Sequence, residues 1–314
     1  MLSIIIPLFN EEESLPLLYK ELVGNLRKIG GTHEIIFVDD GSTDSSLEIL
    51  KDIVKKDRNV RVFSFRKNQG KAEALTFGFQ KAQGDYVVTL DADLQDKPSE
   101  IQKLFGKIKE GYDMVSGWRI NRQDSLPKLF FSKIFNFLVR VFWNLSLHDF
   151  NCGLKVYTKD AAKSLRLYGG LHRFIPLLAH KEGFKVAEVS ILHQKRQYGK
   201  SKYGISKIWW DLPDVFTMLF LVRYSKRPLH FFGMAGGALF LIGIIILSYL
   251  AMLRFQGETI GRRPLLFFGM LLVLSGLQVF FTGFLADLMI NLSRQSKTDV
   301  REQETTLLKY QTNA

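Results

Sequence analysis

The sequence predicts an α/β domain on a mostly parallel sheet flanked by helices, followed by a two-helix transmembrane hairpin. Two observations carry this prediction. Four short apolar runs alternate with helical segments before residue 97, which is typical of parallel sheets. Two later stretches, residues 229–253 and 265–289, are apolar over a length that crosses a hydrocarbon core of about 30 Å. The chain therefore combines a globular domain with a membrane anchor.

The four predicted strands share one design, because each is a short buried run that ends in polar residues. The first, LSIIIPLFN, is a β-branched run stopped by Pro7 and Asn10. A helix follows and ends at Gly30 and Gly31. The next strands lie in HEIIFVDD, VRVFSF and DYVVTLDAD, with helices between them. Since ligands bind beyond the carboxyl ends of such strands, the polar ends mark the expected site.

The domain organisation follows from composition. We expect a cytosolic catalytic domain over residues 1–204 and an interfacial helix region over 205–228, which contains paired tryptophans and a basic end. The two spans occupy 229–290 and a polar cytosolic tail occupies 291–314, of which the part after Ser296 is expected to lack regular structure. Residues 126–147 predict a helix that is either part of the core or interfacial, and the sequence leaves both open.

The net charge of +12 would suit a nucleic-acid partner, but the basic residues crowd beside the spans. They are Arg223, Lys226 and Arg227 before the first span and Arg294, Lys297 and Arg301 after the second. This distribution favours anionic lipid, with the catalytic domain and both termini cytoplasmic, and no nucleic acid. A single cysteine, Cys152, excludes an intramolecular disulfide and suits a reducing compartment.

The fourth strand ends in two carboxylates, Asp91 and Asp93, on either side of Ala92. In an extended backbone alternate side chains point the same way, so we expect both carboxylates to face one point. Two close carboxylates need a cation between them, and a divalent ion fits, with Gln95 adding an amide oxygen. The alternative is a solvated turn before the helix at Pro98.

The other strand ends offer groups for a nucleoside. Asp40 could accept hydrogen bonds from ribose or a base, and Pro7 and Phe9 could form an apolar shelf for the base. Glu11 could bind the polar edge of that base. Each residue alone is better explained as part of a helix cap or turn, and the case for a nucleoside site depends on their occurring together.

The motifs IIIPLFNEEESL, EIIFVDDGSTDSS, NQGKAEAL and GDYVVTLDADLQDKP resemble, in order and spacing, family 2 glycosyltransferases of the GT-A fold. They are most similar to the polyprenyl-phosphate glycosyltransferases, which include dolichol-phosphate mannose synthases and bactoprenol glucosyltransferases. The resemblance covers roughly residues 1–225, and the two spans match membrane-anchored members. It implies inverting transfer of one sugar from a UDP-glucose or GDP-mannose class donor to a polyprenyl phosphate. A processive polysaccharide synthase and a non-catalytic nucleotide-sugar-binding scaffold are the alternatives.

The resemblance also implies roles for individual residues. The nucleoside would be held by Pro7, Phe9, Glu11, Asp40 and Ala92. Mg²⁺ or Mn²⁺ would be held by Asp91, Asp93 and Gln95. The acceptor phosphate would be held by Arg119, Lys128 and Ser132, and the donor diphosphate by a loop bearing Arg196 and Lys202.

Three assignments stay open at this point. Asp149, which with Arg196 is a catalytic candidate, could be a base, a sugar ligand or a turn-former. Lys71 is expected at the surface, with a pyrophosphate role as the alternative. The glycine-rich GMAGG in the first span could pack a homo-oligomer or only the hairpin itself.

Overall fold

The computed structural model describes residues 1–120, 145, 147–194, 224, 227–261 and 264–312, with side chains up to residue 292. The chain forms two compact units, Met1–Met218 and Leu219–Ala314. The predicted helix over 126–147 and the predicted interfacial region over 205–228 lie almost wholly outside the described residues.

The first unit is built on seven described strands. These are β1 (Leu2–Leu8), β2 (His33–Asp39), β3 (Val60–Ser64), β4 (Tyr86–Thr89), β5 (Met114–Ile120), β6 (Lys155–Thr158) and β7 (Val186–Leu192). They form one sheet in the order β3-β2-β1-β4-β6-β5-β7. Neighbouring strands pair in parallel except at β6, which is antiparallel to both β4 and β5. The predicted mostly parallel α/β fold is therefore confirmed.

Helices cover the sheet of the first unit. They are α1 (Leu15–Ile29), α2 (Ser46–Lys56), α3 (Lys71–Lys81), α4 (Ile101–Ile108), α5 (Lys159–Ser164) and α6 (Ile175–Lys181), with short 3₁₀ turns at Pro98–Glu100 and Gly169–Phe174. In α1 the buried leucines, Leu15, Leu18, Leu22 and Leu26, recur every three or four residues, so one face of the helix packs into the core.

The position of α3 is fixed by a close approach to the central strand β1. A Cβ atom at Gly78 of α3 would overlap the side chain of Ile5, which is fully buried. Only glycine allows this distance between helix and sheet. The first residue of α3, Lys71, follows the carboxyl end of β3, on the side of the sheet where the site is predicted.

The second unit contains two long helices, α7 (Pro228–Phe255) and α8 (Pro264–Thr312). The segments Pro228–Phe255 and Pro264–Leu292 are long and apolar enough to cross a membrane, with mean hydropathies of 2.3 and 2.1. These segments agree with the predicted spans over 229–253 and 265–289. Many of their apolar side chains are exposed in the isolated chain, as lipid-facing residues would be.

Glycines hold α7 against α8. A Cβ atom at Gly236 would lie 2.6 Å from the Gly276 carbonyl, and one at Gly276 would lie 2.5 Å from the Phe240 amide nitrogen. Gly269 and Gly283, seven residues to either side of Gly276, also face α7. Of the two predicted roles for GMAGG, packing within the hairpin is therefore the one observed for Gly236.

The prediction that the polar tail after Ser296 lacks regular structure is wrong. Helix α8 continues through this segment to Thr312. The tail contains neither glycine nor proline, and its glutamate, glutamine, leucine and lysine residues favour helix, so nothing in the local sequence stops the helix that the span begins.

Candidate active site

Hydrogen bonds join the loops that follow β1 and β2. The Asn10 amide donates to Ser42 Oγ at 2.9 Å, and the Thr43 amide donates to Asn10 Oδ1 at 2.8 Å. The Glu11 amide donates to Ser46 Oγ at 2.9 Å. Asn10 has a φ of 54°, a left-handed conformation that asparagine tolerates better than most residues. These bonds fix the chain that leaves β1.

Three of the predicted nucleoside-binding residues lie along this stretch. Pro7 is buried within β1, opposite Val38 of β2. Phe9 and Glu11 follow the strand and are partly buried. The Glu11 carboxylate accepts a hydrogen bond of 3.2 Å from the Ser14 hydroxyl.

The predicted nucleoside ligand Asp40 is bonded to the turn before α3. Its carboxylate is 4% exposed and accepts hydrogen bonds from the amides of Gln69 at 2.7 Å and Gly70 at 2.9 Å. Burial raises the pKa of Asp40, and the negative charges of Glu73 and Asp39 add to the rise, although the two amide bonds oppose it. Asp40 thus holds the end of β2 to the start of α3.

The Asp91-Ala92-Asp93 segment, here called the D-x-D turn, does not continue β4. The strand ends at Thr89 and the chain turns at Ala92 and Asp93, so the expectation of an extended backbone is wrong. Leu94 has a φ of 59°, which is strained for a leucine. The Asp93 carboxylate accepts a hydrogen bond of 3.2 Å from the backbone N–H of Gln95, and this bond stabilises the turn.

Asp91 is held between a lysine and a glycine. The ammonium group of Lys71 lies 2.5 Å from Asp91 Oδ1. A Cβ atom at Gly153 would lie 2.5 Å from the Asp91 carboxyl carbon, so only glycine fits there. Burial alone would raise the pKa of Asp91, but the positive charges of Lys71 and Lys155 outweigh burial and lower it. Asp91 is therefore ionised at neutral pH.

The chain that leaves β7 is hydrogen-bonded to Gln95 and Asp96, which follow the D-x-D turn. His193 Nδ1 lies 3.0 Å from Asp96 Oδ1, and the Gln194 amide donates to the Gln95 carbonyl at 2.9 Å. The predicted diphosphate loop with Arg196 begins two residues further on. The chain therefore enters this loop from a position next to the predicted metal ligands.

Arg119 and Asp149 form a buried ion pair. Arg119 Nε and Nη2 lie 2.6 Å and 3.0 Å from the two carboxylate oxygens of Asp149, and the side chains are 11% and 3% exposed. Burial opposes the charge on Arg119, but Asp149 outweighs this effect and raises the pKa of the guanidinium. Asp149 Oδ1 also accepts the Asn151 amide at 3.1 Å.

Four predicted site residues lie outside the described residues. They are Lys128, Ser132, Arg196 and Lys202. The described residues thus bring together Asp91, Lys71 and Gly153 at one point and Arg119 and Asp149 at another.

Comparison with known proteins decides the family. The glycosyl transferase family 2 model matches residues 3–166. A dodecaprenyl-phosphate galacturonate synthase of Rhizobium johnstonii is 35% identical over 297 residues, which cover 92% of this chain and 87% of that protein. The chain belongs to glycosyl transferase family 2.

A second relative and a solved structure add to this comparison. An undecaprenyl-phosphate 4-deoxy-4-formamido-L-arabinose transferase of Pectobacterium atrosepticum is 35% identical over 91% of this chain and 86% of that protein. Among solved structures, glucosyl-3-phosphoglycerate synthase of Mycobacterium tuberculosis with Mn²⁺ and UDP has a TM-score of 0.57 at 20% identity. That match covers 71% of this chain and 78% of the other, and it establishes the GT-A fold.

A divalent cation at the D-x-D turn would need ligands beyond those that the described residues supply. Among the described residues no group of three His, Cys, Asp or Glu side chains could hold a metal by itself. Asp91, Asp93 and Gln95 nevertheless supply the oxygen ligands that Mg²⁺ and Mn²⁺ prefer. A cation here would take its remaining ligands from phosphate and water.

The sequence interpretation missed a cavity beside the D-x-D turn. The cavity has a volume of about 10 Å³, and its lining includes Asp91, Lys71, Asn151, Lys155 and His172. Lys71 therefore lines this cavity and contacts Asp91, with its side chain 35% exposed. One signal was available, because Lys155 is the one charged residue in the apolar run CGLKVY.

His172 lines the cavity as a neutral ring. Burial, with the positive charges of Lys71 and Arg173, lowers the pKa of His172 to about 3. Its Nδ1 lies 3.3 Å from the Gly169 carbonyl. Since a carbonyl can only accept, Nδ1 is the donor and Nε2 is left as a hydrogen-bond acceptor.

Proposed function

We propose that this glycosyltransferase moves one sugar, with inversion, from a nucleotide-sugar to a polyprenyl phosphate and releases the nucleoside diphosphate. The observation that carries the proposal is the similarity over nine-tenths of the chain to two transferases whose names specify a polyprenyl-phosphate acceptor. We propose a donor of the UDP-glucose or GDP-mannose class. The galacturonate and formamido-arabinose in the relatives' names add modified sugars to the donors worth testing.

The donor would lie across the carboxyl ends of β1, β2 and β4. Its nucleoside would contact Pro7, Phe9, Glu11, Asp40 and Ala92. Asp91, Asp93 and Gln95 would hold Mg²⁺ or Mn²⁺, which would neutralise the charge of the leaving diphosphate. Arg196 and Lys202 would close over the same diphosphate. The hydrogen bonds from the chain after β7 to Gln95 and Asp96 support this arrangement.

The acceptor would react without a dedicated base. A phosphate monoester has a second pKa near about 6, so its oxygen is already ionised at neutral pH. That oxygen would attack the anomeric carbon while the bond from this carbon to the diphosphate oxygen breaks. Arg119, Lys128 and Ser132 would hold the acceptor phosphate. The ion pair with Arg119 supports a positioning role for Asp149 over a role as base.

We propose that catalysis occurs at the cytosolic face of the membrane, with two spans and both termini cytoplasmic. The basic residues outside each span support this orientation, because positive charge favours the cytoplasmic side. A long isoprenoid would then present its phosphate beside the catalytic unit.

The test is transfer of radiolabelled sugar into an organic-extractable lipid. The purified chain receives polyprenyl phosphate, Mn²⁺ or Mg²⁺ and, in separate tubes, UDP-glucose, GDP-mannose and UDP-galacturonate. We expect metal-dependent label in the lipid phase from one donor class, and loss of this label in Asp93→Asn. The matched control is Asp52→Asn, which changes an exposed carboxylate of α2. Absence of label with every donor would contradict the proposal.

A further inference from the structure

The cavity beside the D-x-D turn is lined by a buried lysine that forms no ion pair with any described residue. Lys155 lies on β6, is 3% exposed and lines the cavity. Within the described residues its ammonium group has one hydrogen-bond partner, the Cys152 carbonyl, and no carboxylate within 4.0 Å. A buried charge is costly unless it is paired. Lys155 therefore differs from Lys71 and Arg119, which are 35% and 11% exposed and each have a carboxylate partner.

The charge around the cavity is positive. Lys71 and Lys155 bring two ammonium groups, Asp91 brings one carboxylate, and His172 is neutral. Burial lowers the pKa of Lys155 and the charge of Lys71 adds to this effect, while Cys152, Asp149 and Asp91 oppose it without reversing it. The Cys152 carbonyl uses only one of the three N–H groups of Lys155.

From these observations we propose that Lys155, together with Lys71, forms an anion-binding subsite that takes a negatively charged oxygen of the donor. The proposal rests on the proposed function, because the donor is taken to be a nucleotide-sugar. The oxygen would come either from a carboxylate on the transferred sugar, as in a uronic acid, or from the diphosphate.

The size of the cavity limits what enters it. A volume of about 10 Å³ is close to the least space that holds one water molecule. The cavity therefore admits a single small group, and the sugar ring would lie outside it. The side-chain amide of Asn151 adds a hydrogen-bond donor, and the Nε2 atom of His172 adds an acceptor. These two groups could bind hydroxyls of the donor next to its charged oxygen.

The experiment measures binding by calorimetry with the full-length chain and Mn²⁺, using UDP, UDP-glucose and UDP-glucuronate. The last two ligands differ only in a hydroxymethyl group against a carboxylate. The variants are Lys155→Met, and Lys155→Gln, which keeps a donor for the Cys152 carbonyl if the methionine variant fails to fold.

Two patterns would support the subsite and identify its anion. If the anion is the sugar carboxylate, the wild type binds UDP-glucuronate about tenfold tighter than UDP-glucose, and the neutral variants lose that preference without weaker UDP binding. If the anion is the diphosphate, the neutral variants bind all three ligands about tenfold more weakly. Unchanged binding of all three ligands in a folded neutral variant would overturn the proposal.

The matched control is Lys163→Met. Lys163 also donates to a backbone carbonyl, that of Gln80 at 2.7 Å, but it is exposed and lies outside the cavity lining. We expect no change in the affinity for any of the three ligands. Because calorimetry needs no lipid acceptor, a failed transfer assay would refute the proposed function without deciding the subsite.

Discussion

The two halves of the sheet differ in how many hydrogen-bond partners they provide for a buried charged side chain. In the half formed by β1, β2 and β3, the buried Glu34 accepts hydrogen bonds from the Ser3 hydroxyl, the Gln83 amide and the Arg61 guanidinium. In the half formed by β4, β6, β5 and β7, the buried Lys155 has one hydrogen-bond partner among the described residues, the Cys152 carbonyl. In the first half, the protein itself supplies the hydrogen bonds that the buried carboxylate needs. In the second half, Lys155 has no carboxylate within 4.0 Å among the described residues, and ligand binding is the reason we infer for this charge.

The largest effect on stability is expected from the ion pair of the second half. Arg119→Ala would leave the Asp149 carboxylate buried without its bidentate partner, and we expect a loss of about 3–5 kcal/mol in the free energy of unfolding. Arg61→Ala in the first half should cost only about 1–2 kcal/mol, because Glu34 keeps two partners and Arg61 is one-third exposed.

Urea unfolding of the full chain in detergent, followed by tryptophan fluorescence, measures both losses. Equal losses for the two arginine variants would show that the halves do not differ in this respect. A neutral Asp149→Asn change beside Arg119→Ala should recover part of the loss, since it removes the uncompensated charge.

The next effect concerns activity. Gly153→Ala would place a Cβ atom 2.5 Å from the Asp91 carboxyl carbon and displace this carboxylate. Since a shift of about 1 Å at a reacting site can cost about 100-fold, we expect transfer to fall by roughly 10–100-fold. Gly106→Ala is the control, because nothing lies within 4 Å of its Cβ position in α4. The control should keep full activity and gain about 0.5–1 kcal/mol of stability.

The same contrast between halves explains what the sequence could predict. The first four strands are separated by helices, and each buried run is followed by a polar end, so local periodicity predicts them. Strands β5 and β6 pair across about 40 residues, and β6 has only four residues of its own. Such pairing depends on tertiary contacts that no local pattern contains.

The site shows the same division. Asp91 and Asp93 were predicted from their spacing, but their geometry comes from a turn with a strained Leu94 and from the approach of Gly153, which is about 60 residues distant. Lys155 and His172 reach the cavity only through the fold. The sequence therefore predicts the site residues that follow the first four strands. The residues that contact them from later in the chain, such as Gly153 and Lys155, are identified only in the structure.

A third prediction concerns the pH dependence of stability that the buried Glu34 contributes in the first half. Burial would raise the pKa of Glu34, but its hydrogen bonds with Ser3, Gln83 and Arg61 outweigh burial and lower it. The resulting stabilisation is present above the unfolded pKa of about 4.3 and is lost as the pH falls through the lower folded value. Glu34→Gln should cost about 1–2 kcal/mol at neutral pH, and the difference from wild type should shrink below about pH 4.

Urea unfolding at a series of pH values measures this dependence. Glu48→Gln, an exposed carboxylate on α2, is the control and should follow the wild type at every pH. A constant difference between Glu34→Gln and wild type across the series would mean that the charge of Glu34 does not contribute.

The smallest effect is expected where the loops of β1 and β2 meet. Asn10→Gly keeps the left-handed backbone and removes only the side-chain bonds with Thr43, so we expect a loss of about 1 kcal/mol in unfolding free energy. Asn10→Asp retains an acceptor for the Thr43 amide and should change stability little. If donor affinity falls in the glycine variant more than stability does, the bonds between these loops serve the nucleoside site as well as the fold. If stability alone falls, these hydrogen bonds stabilise the fold and do not contribute to donor binding. That result would agree with the contrast between the first half, where Glu34 is hydrogen-bonded within the chain, and the second half, where we infer a ligand for Lys155.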